Sequence, residues 1–157
     1  MNLEMLSALL YYRKMNQSEL SRRSGITRQA VSKWFTAQKF NPEGNTLLKL
    51  SETLQVDARV LACDLFSDLG SGEKQDLETL VLWDRLYGSL EYFVAALARF
   101  ELKAIARYIQ VFGILKAEKI FGKRVFQKFD RFAPFIHPVR RKELKALCQT
   151  FQELNLI

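Results

Sequence analysis

Two short helices joined by a tight turn are predicted for residues 17–35, and this stretch constrains the fold more than any other. Asn16 stands where a side chain can cap the first helix. Gly25 can adopt the positive φ that ends a helix, and the hydroxyl of Thr27 can cap the helix that follows. The sequence therefore predicts a helix at 17–24, a turn, and a second helix at 27–35.

The second of these helices has two unlike faces. Ala30, Val31 and Trp34 recur at three- and four-residue spacing, which predicts a face turned toward a core. The opposite face is polar throughout and consists of Arg28, Gln29, Ser32 and Lys33. A globular core does not require such a polar set, whereas the major groove of DNA presents donors and acceptors that match it.

The order and spacing of these residues resemble the helix-turn-helix of the phage repressor and Cro-like (XRE-type) transcriptional regulators. The resemblance covers about residues 1–66 and is carried by Gln17, Leu20, Ser21, Gly25-Ile26, Thr27, Ala30-Val31-Ser32, Trp34, Pro42 and the run 47–56. It implies a five-helix DNA-binding domain whose second motif helix lies in the major groove. The chain departs from the family pattern after Trp34, where residues 35–40 replace an acidic residue followed by glycine.

The resemblance implies that bases are read by residues near the start of the second motif helix: Thr27, Arg28, Gln29, Ser32 and Lys33. Arginine bonds guanine bidentately and glutamine bonds adenine in the same way, each contributing about 1–3 kcal/mol of discrimination. The plainer interpretation of Arg28 and Gln29 is a solvated helix face. Thr27 has the alternative role of a cap alone, and Lys33 that of a phosphate contact alone.

Two further residues are expected at the DNA backbone. By the same resemblance, Gln17 would hold a phosphate at a helix N-terminus, where the helix dipole favours negative charge. Lys39, in the atypical loop, is expected to contact phosphate as well. The plainer interpretations are an ordinary polar helix start and a solvated lysine. Trp34 is interpreted as a core residue rather than a base-stacking one, because it continues the apolar face of its helix.

The whole chain is predicted to be all-α. A five-helix repressor-like helix-turn-helix domain is expected at 1–66, a linker rich in glycine and serine at 67–72, and a second all-helical domain at 73–157. This second domain would serve dimerisation or partner binding. No useful strand-like alternation of polar and apolar residues occurs.

Several helix boundaries follow from caps and apolar spacing. In the first part, the first helix is predicted at 2–15. A fourth helix is predicted to begin after a cap at Asn45 or Thr46, and a fifth is predicted at 58–66 after a cap at Asp57. A long amphipathic helix is predicted from Leu82, Leu86, Leu90, Phe93 and Leu97. Shorter helices are expected at 102–112 and 115–121, followed by a compact segment at 125–136. The last helix should begin at Pro138, with an inner face of Leu144, Leu147, Cys148, Phe151 and Leu154.

The formal net charge of +7 and the isoelectric point near 9.5 favour an anionic partner. Basic residues crowd the last third of the chain, from Lys119 to Lys145. They would extend the phosphate contacts, receive an acidic protein, or form a solvated face.

Neither a cofactor nor an enzymatic activity is predicted. The sequence shows no metal-ligand spacing, nucleophile motif or phosphate-binding glycine loop. Cys63 and Cys148 are far apart and are interpreted as free buried thiols, and His137 as a cap or turn residue. The start of the chain does not resemble a signal peptide, and no apolar run suits a membrane span. A cytoplasmic location is therefore expected.

These patterns favour a sequence-specific regulator of bacterial or phage type, acting as a repressor on double-stranded DNA. A homodimer would read a pseudo-palindromic operator with half-sites one helical turn apart, about 34 Å. The alternative is an antitoxin-like protein, in which residues 73–157 bind and neutralise a toxin while the first domain autoregulates. The sequence of residues 81–88 is similar to segments that follow the helix-turn-helix in some regulators associated with toxin–antitoxin systems. An accessory DNA-binding protein without sequence preference is the third possibility.

Overall fold

The computed structural model describes residues 3–37, 41–63 and 73–154. Within these ranges it contains helices and no strand, which confirms the all-α fold class. The helices are α1 (Leu3–Tyr12), α2 (Gln17–Ser24), α3 (Arg28–Thr36), α4 (Gly44–Leu54), α5 (Ala58–Ala62), α6 (Glu73–Leu82), α7 (Leu90–Ala98), α8 (Leu102–Phe112), α9 (Ile114–Phe121), α10 (Arg124–Gln127), α11 (Phe129–Phe132) and α12 (Pro138–Glu153), with a 3-10 turn at Ala133–Phe135.

The chain forms two compact units, Met1–Arg99 and Phe100–Ile157. The predicted linker at 67–72 lies outside the described residues, so the boundaries assigned to the two domains stay a prediction. The first unit contains α1 to α7 and the second contains α8 to α12.

Three predicted helix caps in the first unit are confirmed. The side chain of Asn16 accepts a hydrogen bond from Glu19 N at 2.9 Å, and Asp57 Oδ1 accepts one from Arg59 N at 2.8 Å. Thr27 Oγ1 accepts one from Ala30 N at 3.3 Å. Each of these bonds spans two or three residues, so it depends only on local sequence.

The predicted caps of α4 and the predicted end of α1 are wrong. Glu43 already has the extended backbone of a cap residue, so α4 begins at Gly44, and Asn45 and Thr46 lie in its first turn. The first helix ends at Tyr12 rather than at residue 15 because Lys14 takes a positive φ of 51°. The fifth helix ends at Ala62 because Cys63, which was predicted to be helical, has an extended backbone. The remaining predicted residues, 64–66, lie outside the described residues.

The long helix predicted through residues 82–97 is also wrong, because the chain leaves the helical conformation between α6 and α7. Asp84 Oδ1 accepts a hydrogen bond from Leu86 N at 3.0 Å, a local alternative to the helical bond. Arg85 has a positive φ of 56°, and Ser89 Oγ accepts from Tyr92 N to start α7. Leu86 is consequently 46% exposed instead of buried.

The N-terminal helix α1 packs against α7 in the first unit. Leu6 and Leu9 of α1 and Phe93 of α7 are buried in this core. The Tyr92 ring meets the ring of Tyr12 edge to face, with centroids 5.6 Å apart. Arg99 Nη1 donates a hydrogen bond to the Tyr12 hydroxyl at 2.5 Å, which connects the ends of the two helices.

The second unit has an aromatic core. Tyr108, Phe121 and Phe132 are fully buried, and the rings of Tyr108 and Phe121 meet edge to face at 5.9 Å. Glycines at positions 113 and 122 take positive φ and follow α8 and α9, which end at the predicted residues 112 and 121. The two helices pack on each other, and each contributes an aromatic side chain to this core.

The last helix begins at Pro138 as predicted, and His137 occupies its cap position without a side-chain hydrogen bond. Leu144 and Cys148 are buried as predicted, and Leu147 and Phe151 are half-buried. Leu154, predicted to lie inward, is 62% exposed because it follows the last residue of the helix.

Replacing Gly25 with alanine should destabilise the first unit by about 1–2 kcal/mol, the cost of a left-handed backbone for a residue with a Cβ. Gly25 has a φ of 66°, and a Cβ at this position would contact nothing within 4 Å. The destabilisation would therefore come from backbone strain and not from collision. Urea unfolding followed by tryptophan fluorescence measures it, since both tryptophans lie in the first unit. An unchanged midpoint would contradict the left-handed turn.

Burial, together with the nearby carboxylate of Asp130, raises the pKa of the Cys148 thiol to about 11. In the unfolded chain this thiol ionises near pH 8.5, so the folded state loses stability as the pH rises toward 11. This difference in pKa corresponds to about 3 kcal/mol, and partial solvent screening of the thiol lowers the expected fall in the free energy of unfolding of the second unit to about 2 kcal/mol. Denaturant unfolding followed by far-UV circular dichroism at neutral and alkaline pH measures the fall. The free energy of unfolding of the Cys148→Ala protein should fall less between neutral and alkaline pH. Equal falls in the two proteins would contradict the raised pKa of Cys148.

Candidate nucleic-acid interface

The turn between α2 and α3 is held by serine hydroxyls. Ser24 Oγ donates to Leu20 O at 2.7 Å and accepts from Ile26 N at 3.3 Å. Ser21 Oγ donates to Ile26 O at 2.6 Å. With Gly25 in the left-handed conformation, these bonds satisfy the backbone of the turn and set the direction in which α3 leaves it.

The inner side of the motif is apolar. Leu20 of α2 and Val31 of α3 are fully buried where the two helices pack on each other. Ala30 and Trp34 are half-buried, so the predicted inner face of α3 is confirmed in direction, with Val31 at its centre. α2 also packs on α4, which supports the motif.

All five predicted base-reading residues are exposed, at the cap position or in the first two turns of α3: Thr27, Arg28, Gln29, Ser32 and Lys33. Thr27 is the cap residue. The other four line one shallow concave surface. The structure therefore brings these four residues together on one side of α3.

Two further residues, Thr36 and Ala37, complete this concave surface and were not predicted. Thr36 Oγ1 donates to Ser32 O at 3.0 Å within the helix. The available signal was spacing, because a residue four positions after Ser32 lies on the same face of a helix. The concave surface therefore extends one turn beyond the predicted polar face.

Gln17 is exposed at the first position of α2, next to its cap residue Asn16. The first backbone N–H groups of a helix lack partners inside the helix, so this end attracts anions. Later in the same helix, Arg22 and Arg23 both pair with Glu19, the former at 3.9 Å. Lys39, the other predicted phosphate residue, lies outside the described residues.

Arg13 has a structural role that the sequence did not indicate. Its Nη2 atom donates to Leu54 O at 2.8 Å and to Gln55 Oε1 at 3.2 Å. These bonds place the cation at the C-terminus of α4. A cation at this end of a helix interacts favourably with the helix dipole. The bond also connects the residue that follows α1 to α4, the helix on which α2 packs.

The described ranges contain neither a metal centre nor a membrane span. No group of three or more His, Cys, Asp or Glu side chains there is arranged to hold a metal ion. No helix within those ranges is both long and apolar enough to cross a membrane.

Residues 11–61 match a family model described as helix-turn-helix. The match contains α2, α3 and α4 whole and all but the last residue of α5, and with them the exposed polar face of α3. Neither a curated protein nor a solved structure matches the chain. Residues 11–61 are therefore a helix-turn-helix domain of the type that DNA-binding transcriptional regulators carry.

Proposed function

We propose that this protein is a sequence-specific transcriptional regulator that reads double-stranded DNA through the major groove. In this proposal α3 enters the groove, and α2 crosses the backbone with its N-terminus at a phosphate. The observation that carries the proposal is the polar face of α3, which is exposed in full on a helix-turn-helix scaffold.

The first turn of α3 offers side chains suited to base edges. Arg28 and Gln29 are exposed, and neither side chain is hydrogen-bonded to another of the described residues. Their donors and acceptors are therefore available to guanine and adenine edges without first breaking a bond inside the protein. Ser32 and Lys33 follow one turn later on the same surface.

The proposal includes a homodimer and a repressing role. A single recognition helix reads only a few base pairs, so two copies related by a twofold axis would read a pseudo-palindrome. Occupation of such an operator next to a promoter would block transcription. The dimer is supported by this geometric requirement of the motif.

Selection from random duplex DNA at near-physiological salt tests the proposal. The wild-type protein should enrich an inverted repeat, and the Arg28→Ala/Gln29→Ala protein should not. A matched control is Arg140→Ala/Gln149→Ala, which removes the same two residue types from exposed positions of α12. This control should enrich the same repeat as the wild type. Enrichment of no sequence by the wild type would contradict sequence-specific regulation.

The antitoxin-like alternative is favoured by the exposed apolar side chains of the second unit. Phe135 is 45% exposed and Val139 is 64% exposed, close together in sequence at the start of α12. A protein partner would bury such side chains. Co-purification of a second chain whose binding is abolished in Phe135→Ser/Val139→Ser would support this alternative, and a purified protein that remains a lone dimer would contradict it.

A further inference from the structure

The net positive charge of the chain belongs to its second compact unit. Residues 1–99 contain twelve Lys and Arg and twelve Asp and Glu, whereas residues 100–157 contain twelve and five. The formal charge of +7 therefore lies wholly in the second unit, and the unit with the helix-turn-helix is neutral. Because DNA affinity depends strongly on neutralising phosphates, the neutral unit gains little affinity from its net charge.

The second unit presents its cations to solvent. Six exposed basic side chains lie either between the last turn of α9 and the end of α11 or in α12. They are Lys119, Lys123, Lys128, Arg131, Lys142 and Lys145. None of the six forms an ion pair with another residue in the part of the chain that the structure describes. Their charges are therefore available to an anionic partner.

Two cations of this unit converge on one aromatic ring. Arg124 Cζ lies 4.4 Å and Lys128 Nζ lies 5.4 Å from the centroid of Phe100. The half-buried Phe100 ring packs edge to face on Phe121 at 5.8 Å, which fixes its position. The ring attracts both cations, so two positive charges lie beside one aromatic ring.

We propose that residues 100–157 bind the phosphate backbone of duplex DNA without reading its sequence, at a surface built around Phe100, Arg124 and Lys128. This inference rests on the proposed function for the identity of the anion. DNA is favoured over an acidic protein because the helix-turn-helix already holds it, and the covalent connection raises its local concentration at the second unit. The second unit then supplies the electrostatic affinity that the neutral first unit lacks.

The salt dependence of binding to a short duplex of random sequence tests this inference in the full-length protein. The slope of log Kd against log salt concentration should fall by about 0.9 for each phosphate that a variant no longer neutralises. The Lys123→Gln/Lys128→Gln protein should therefore have a slope smaller by about 1.8. The charge-matched control Lys49→Gln/Arg59→Gln removes two exposed cations from the first unit and should keep a slope close to that of the wild type.

A second variant, Lys142→Gln/Lys145→Gln, measures the contribution of the cations of α12. It should lower the slope less than Lys123→Gln/Lys128→Gln does. Circular dichroism melting confirms that each variant is folded. Wild-type slopes in both lysine variants would overturn the inference, as would binding of an acidic protein at Lys123 and Lys128 with no effect on DNA.

The failure of this inference is distinguishable from the failure of the proposed function. If the wild type selects an operator and the lysine variants keep its salt slope, only the inference fails. If the slope falls as expected and no operator is selected, only sequence reading fails. The Arg28→Ala/Gln29→Ala protein should lose its operator preference and still bind random duplex through the second unit.

Discussion

Arg28→Ala should weaken operator binding by about 5- to 150-fold, since a bidentate arginine–guanine contact contributes about 1–3 kcal/mol of discrimination. Gln29→Ala should weaken operator binding by a similar factor, because it removes a bidentate contact with an adenine. Both side chains stand exposed at the start of α3. Fluorescence anisotropy with the selected operator and a scrambled duplex, at one salt concentration, measures the two affinities. Only the affinity for the operator should fall.

Lys33→Ala is the informative comparison for this experiment. Lys33 lies on the same concave surface as Arg28 and Gln29. If it contacts only phosphate, its removal should weaken operator and scrambled duplex equally and lower the salt slope by about 0.9. If Arg28→Ala and Gln29→Ala also weakened both duplexes equally, the assignment of base reading to these residues would be wrong.

Phe93→Ala should destabilise the first unit by about 3–5 kcal/mol, the usual cost of removing a large buried aromatic side chain. Phe93 is fully buried on α7, which packs against α1, and its ring meets that of Tyr87 edge to face at 5.3 Å. Both tryptophans, Trp34 and Trp83, lie in this unit. Urea unfolding followed by their fluorescence therefore reports the stability of this unit specifically.

Glu91→Ala is the matched control for Phe93→Ala, because Glu91 lies exposed on the same helix. Its free energy of unfolding should stay within about 0.5 kcal/mol of the wild type. A change below about 1 kcal/mol in the Phe93→Ala protein would show that α7 does not stabilise the unit that contains the helix-turn-helix.

The candidate interface was predictable because its signals are local. A helix face is defined by residues three and four positions apart, so Val31 on the inner side and Arg28 on the outer side follow from spacing alone. Thr36 and Ala37 were missed because the helix was predicted to end at residue 35, whereas α3 continues to Thr36. Whether these residues read bases is a property of the complex with DNA, and it stays a prediction.

The sequence by itself determined the all-α class, the helix-turn-helix and those caps in which one side chain bonds backbone within three residues, such as Asn16 and Thr27. Only the tertiary structure decided the packing of α7 on α1 and the bond from Arg13 to Leu54. An apolar repeat such as Leu82 to Leu97 is compatible with one helix or with two, and the side chains of Asp84 and Ser89 favour the break through local hydrogen bonds. The helix against which α7 packs depends on the free energy of burial against residues distant in sequence, which local spacing does not contain.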